Sequence, residues 1–125
     1  MADESIITLH ITFHDPDLDA EEREREVHNL LHDLQQLDEI GEVARVRDPH
    51  PPEGSKAIGA FLVGLVQVAV KAPHVTALLG YLRDRLAGKS IEMEVEAHGK
   101  KLKVTAHTQA ELRAAVAAAR QFVVA

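Results

Sequence analysis

Residues 48–73, "DPHPPEGSKAIGAFLVGLVQVAVKAP", change character halfway along. Pro49, Pro51 and Pro52 remove backbone donors and force extended geometry on the residues before them, so the stretch opens as a loop. Gly54-Ser55 can then begin a helix, and from Ile58 to Val70 nearly every side chain is apolar. The β-branched piece "LVQVAV" is compatible with a buried strand. Length favours helix, because strands usually span about 5–6 residues. Lys71-Ala72-Pro73 breaks the run. Val75, Leu78, Leu79, Leu82 and Leu86 then mark an amphipathic helix ending at Gly88, so the expected unit over 58–86 is an apolar helical hairpin.

The flanking segments are easier to assign. Ile7, Leu9, Ile11 and Phe13 alternate with Thr8, His10, Thr12 and His14, the period of a half-buried strand. Asp19-x-x-Glu22 reads as a capping box that opens a helix, with Val27, Leu30, Leu31, Leu34 and Leu37 on one stripe. Glu21 and Arg25 are spaced to pair on that helix. Gly41 follows it, and "EVARVRD" reads as a second, weaker strand. In "SIEMEVEAHGKKLKVTA", residues 90–106, a two-residue turn at His98-Gly99 sets Val95 opposite Leu102 and Met93 opposite Val104. The same register sets Glu96 against Lys101 and Glu94 against Lys103, so apolar and charged faces agree on one hairpin. Thr108-x-x-Glu111 is a second capping box, launching a helix with Leu112, Ala115, Val116, Ala119, Phe122 and Val123 along one side.

The expected fold is therefore α+β: one domain over residues 1–125, a two-layer sandwich in the order β-α-β-α-α-β-β-α. It has a four-stranded sheet, polar on one face and covered by helices on the other. With 125 residues the chain buries enough surface to need no staples, and it contains no cysteine for disulfides, zinc thiolates or thiol nucleophiles. No cysteine, together with an acidic N-terminus lacking the charge and apolar core of a signal peptide, suits a cytoplasmic protein. The net charge of −6 argues against nucleic-acid binding. One tyrosine, three phenylalanines and no tryptophan leave few stacking platforms. Membrane insertion needs about 20 consecutive apolar residues, and Lys71-Ala72-Pro73-His74 interrupts the run first.

Candidate chemistry is sparse. Eight histidines are present. His28 and His32 stand one helical turn apart, but Asn29 follows His28 where the zinc-protease motif has glutamate. Two solvated histidines are the simpler reading, against a metal site. His10, His14 and His107 belong to the polar sheet face, near Arg45 and Arg47 if the second strand turns them outward. Such a cluster could hold an anion, or be an ordinary solvated face. "EGSKA" lacks the glycine spacing of a phosphate loop. Serine occurs only at Ser5, Ser55 and Ser90, and no nucleophile-base pairing can be read from spacing. No catalytic, cofactor or metal residue is assigned, and the chain is expected not to be an enzyme.

What remains is an excess of apolar side chains in the middle third. Ala60 and Gly64 lie one helical turn apart and would let another backbone approach. The expected partner surface is the proline loop plus the apolar hairpin, with Pro51, Pro52, Phe61, Leu65, Val68 and Tyr81 as anchors. The alternative is self-association through that hairpin, as a structural homo-oligomer. A third reading, from another class, is a metal- or phosphate-dependent enzyme using the histidines.

The succession "PHPPEGSKAIGAFLVGLVQVAV", "VTALLGYLRDRLAG", "SIEMEVEAHGKKLKVTA" and a closing helix resembles the effector-associated constant component family of bacteria. The resemblance rests on Pro51-Pro52 with Gly54 before the apolar segment, on Leu82-Arg83, and on Gly99 in the turn. Tyr81 stands where the family pattern suggests tryptophan, and the proline loop carries extra charge at Glu53 and Lys56. The resemblance implies a small non-enzymatic α+β protein of bacterial conflict or immune systems. It implies an adaptor that docks on an effector such as a caspase-like or trypsin-like peptidase.

Overall fold

The computed structural model describes residues 5–37, 42–45 and 64–124. The elements run β1 (Ile6–Phe13), α1 (Ala20–Gln35), β2 (Glu42–Ala44), β3 (Leu65–Lys71), α2 (Ala72–Arg85), β4 (Ile91–Ala97), β5 (Lys100–Ala106) and α3 (Gln109–Val124). The strands form one antiparallel sheet in the order β2-β3-β1-β4-β5. The α+β class holds. The sheet has five strands rather than four, and the element order becomes β-α-β-β-α-β-β-α.

The added strand comes from the apolar stretch. Residues 65–71 form β3, not the first helix of a hairpin, and pair with β1 from Ile6↔Lys71 to Thr12↔Leu65. The physical reason lies in β1, which occupies the middle of the sheet and must be hydrogen-bonded along both edges. The β4–β5 hairpin satisfies one edge, and β3 satisfies the other. Val66, Val68 and Val70 face the helices with no exposed surface, beside Ile7, Leu9 and Ile11. Their β-branches suit a pleated surface better than a helix.

Gly64, expected as a small contact residue on a helix, instead takes φ +76° at the start of β3. Its carbonyl accepts Phe13 N–H at 2.9 Å. A side chain there would stand 3.4 Å from the Phe13 carbonyl oxygen and 3.6 Å from Arg23 Cβ. At the other end β3 runs directly into α2, with Pro73 in the first turn and Ala72 N–H donating to the Ser5 carbonyl at 2.9 Å.

The local expectations hold. Asp19 and Glu22 exchange both capping-box bonds at the head of α1. His98 and Gly99 take φ 54° and 76°, the paired positive values of a type I′ turn. The hairpin register is the expected one, Val95↔Leu102 and Met93↔Val104. At α3, Thr108 Oγ1 accepts Glu111 N–H at 3.1 Å, while Glu111 reaches past the cap to His107 N–H at 2.8 Å.

All three helices cover the same face. Leu30 and Leu34 of α1, Leu79 and Leu82 of α2, and Leu112 and Val116 of α3 close over the inward residues of the strands. Among the described residues every buried core side chain is apolar. Truncating Leu9 at the centre of this core should cost about 2–5 kcal/mol as Leu9→Ala. Gly64→Ala should cost about 1–2 kcal/mol, because an L-residue is strained in the left-handed region. Urea unfolding checks both, and a neutral Gly64→Ala would contradict the bend.

Candidate partner-binding surface

Because the helices share one side, the other face of the sheet is bare among the described residues. The register lays out its rows. Glu42, Ala69, Thr8, Glu96 and Lys101 form one row; Ala44, Gln67, His10, Glu94 and Lys103 the next; Leu65, Thr12, Glu92 and Thr105 the third. The central strands carry half-buried, mostly uncharged side chains, and the β4–β5 side carries charge. Ile6, at one end of β1, is 55% exposed and shares this face by alternation.

Two histidines lie here as expected, but they do not converge with arginine. His10 Nε2 meets Gln67 Oε1 at 2.9 Å, and His14 Nε2 meets Glu92 Oε2 at 2.7 Å. His107 is exposed, and no hydrogen bond joins it to the other two. Arg45 turns to the helix layer, where Glu24 holds it at 2.7 Å; Arg47 lies outside the described residues. The anion cluster imagined for this face is therefore not assembled by its described residues. On α1, His28 and His32 are both exposed. Among the described residues no group of three or more His, Cys, Asp or Glu is placed to hold a metal.

Glu92 is the electrostatic centre of the face. Lys103 Nζ lies 2.7 Å from Glu92 Oε1, and His14 takes the other oxygen. Lys101 reaches Glu94 at 3.8 Å. The lysines thus pair diagonally, one row away from the carboxylates directly opposite them, a reach that long side chains on a twisted sheet permit. The hydrogen bond from Lys103 holds the Glu92 carboxyl below its ordinary value, against the opposing effect of burial, and Glu92 raises Lys103 in return.

Of the expected anchors, Leu65 is half-buried on the open face, opposite Thr12. Val68 points the other way and is fully enclosed by the protein's own core. Tyr81 sits on α2, half-buried against the core from the helix layer. The sheet separates it from Leu65, so one surface does not present both. Pro51, Pro52 and Phe61 lie outside the described residues, as does "EGSKA". Glu24 Oε1 accepts Gly64 N–H at 3.1 Å and Arg45 Nη2 at 2.7 Å, so one carboxylate on α1 holds both Arg45 and Gly64. The sequence offers no signal for this clamp, since it joins three separate segments.

A family model described as Effector Associated Constant Component 1 matches residues 19–122. The chain belongs to this family. The match spans α1 through most of α3, and it makes the chain a component of effector-associated systems. No curated protein and no solved structure matches it. No helix among the described residues is long and apolar enough to cross a membrane.

Two outcomes follow from these contacts. Removing the Glu24 carboxylate as Glu24→Gln should cost about 1.5–3 kcal/mol in urea unfolding, since it strips a charged partner from Arg45. Glu92→Gln should be pH-dependent. A carboxyl held below its ordinary 4.5 stabilises the fold above that pH, and the benefit fades as pH falls through the folded value. The difference between wild type and Glu92→Gln should therefore be present at neutral pH and vanish in acid.

Proposed function

We propose that this chain is a non-enzymatic adaptor that docks on an effector protein, a caspase-like or trypsin-like peptidase, in a bacterial defence system. The carrying observation is a sheet face that no described residue covers, in a member of a family named for its association with effectors. The contact begins at Leu65, where β3 emerges beside the Glu24 clamp, and the reading keeps Pro51, Pro52 and Phe61 as further anchors. It continues over the uncharged rows of β3 and β1, around Thr12, Gln67 and Thr8. Half-buried neutral side chains on a rigid sheet lose little water and little conformational freedom when covered. The charged β4–β5 side forms the rim. The reading implies a cytoplasmic encounter, where a chain without cysteine is chemically at ease.

The self-association alternative drew its support from an apolar helical hairpin. Of that hairpin's apolar residues, Val66, Val68 and Val70 face the chain's own core. Binding to a caspase-like or trypsin-like peptidase, measured with both proteins purified, tests the adaptor reading. Leu65→Asp should weaken the complex by at least about tenfold, a loss of about 1.4 kcal/mol, while circular dichroism stays native. A folded Leu65→Asp that binds normally overturns the surface. Sedimentation of the chain alone checks the alternative, with a concentration-independent monomer expected.

A further inference from the structure

The helix layer carries a feature that docking on the sheet does not use. Helices α2 and α3 pack against one another, and where the end of α2 meets the start of α3 there is a cleft of about 380 Å³. It is lined by Arg83, Asp84, Ala87, Gln109 and Arg113. We propose that this cleft binds a small phosphorylated molecule, with Arg83 and Arg113 gripping its phosphoryl oxygens.

Charge accounting points to an anion. The chain is acidic overall, and its other cations largely find carboxylates: Arg45, Arg85, Lys89 and Lys103 do so at 2.7 to 2.9 Å. Arg113 and Arg120 make no ion pair among the described residues. Arg83 has only its chain neighbour Asp84, at 3.4 Å, a carboxylate that is itself 78% exposed. Arg120 lies farther along the same seam. Its Nη2 is 3.0 Å from where a side chain on Gly80 would begin, and its Nε is buried without a hydrogen-bond partner. Three guanidinium groups thus share one seam between two helices.

The position favours phosphate over a lone carboxylate. One arginine fork satisfies a carboxylate, whereas two forks from separate helices suit a dianion with three acceptor oxygens. The start of α3 adds the positive end of its dipole. Thr108 takes the Glu111 N–H, and the Glu111 carboxylate is turned back onto His107 N–H, which leaves Gln109 at the cleft. The volume suits a small ligand. Asp84 at the edge opposes a long polyanion by like charge and offers an acceptor to a hydroxyl beside the phosphate. The cleft and the open sheet face lie on opposite layers, so this inference stands independently of the docking reading.

Titrating the full chain with pyrophosphate at constant ionic strength, followed by nitrogen-15 NMR, tests it. Saturable shifts are expected at the Arg83 and Arg113 Nε–H groups and at the Gln109 amide. Arg83→Gln and Arg113→Gln should each weaken binding by about tenfold, the loss of a charge-assisted bond. Lys100→Gln, at the opposite end of β5 from the start of α3, should leave it unchanged. AMP should bind and adenosine should not. Unsaturable shifts, shifts centred on Lys100 to Lys103, or glutamine variants that bind like wild type would overturn the site. A phosphoserine peptide binding more tightly than either small phosphate would overturn the choice of ligand.

Discussion

A strand in the middle of a sheet has two edges of backbone donors and acceptors, and neither can be left buried without a partner. β1 is such a strand, and much of the molecule follows from supplying its two neighbours. The β4–β5 hairpin forms locally and arrives as a ready-made neighbour on one side. On the other side the supply is distant, because Ile6 pairs with Lys71 and Thr12 with Leu65. The segment between these strands must therefore fold back over the sheet, and α1 and β2 do that. The inward side chains of β1 and its neighbours then dictate where the helices go.

Putting all three helices on one face divides the protein into two unlike surfaces. The helix layer is fastened to the sheet by apolar contact and, around α1, by charge. Glu24 and Glu26 near the start of α1 and Asp33 near its end reach Arg45, Lys89 and Arg85 respectively. These partners come from β2's end, from the turn after α2 and from α2 itself. A helix with a capped, acidic start is thereby anchored without placing a charged group in the core. Among the described residues nothing comparable covers the sheet's outer face. Its ionic links run within the sheet, between β1, β4 and β5, and leave the β3–β1 region neutral. A neutral centre with a charged border suits reversible contact with another protein.

How far this surface could be read from residues alone varies from anchor to anchor. Leu65 was identifiable as surplus apolar surface, and it does lie on the uncovered face. Val68 looked equivalent, yet three residues along a strand reverses the direction of a side chain, whereas three residues along a helix nearly preserves it. Mistaking the period thus moved Val68 from core to surface and grouped Tyr81 with Leu65, although the sheet lies between them. The Glu24 clamp and the arginine cleft leave no trace in spacing, because each joins residues from separate elements.

By itself the sequence determined every element whose stabilising contacts are local. The α1 capping box spans four residues, the β4–β5 turn needs only His98 and Gly99 in left-handed geometry, and the stripes of α2 and α3 are periodic over their own lengths. Strong local preferences survive in almost any context. Only the tertiary structure decided residues 65–71, whose valines and leucine satisfy a buried strand and a buried helix about equally on hydrophobicity. What settled them was an unpaired edge on β1, distant in sequence, and a glycine able to turn left-handed beside it. Backbone hydrogen bonding across that distance is a property of the assembled sheet, and no window of sequence contains it.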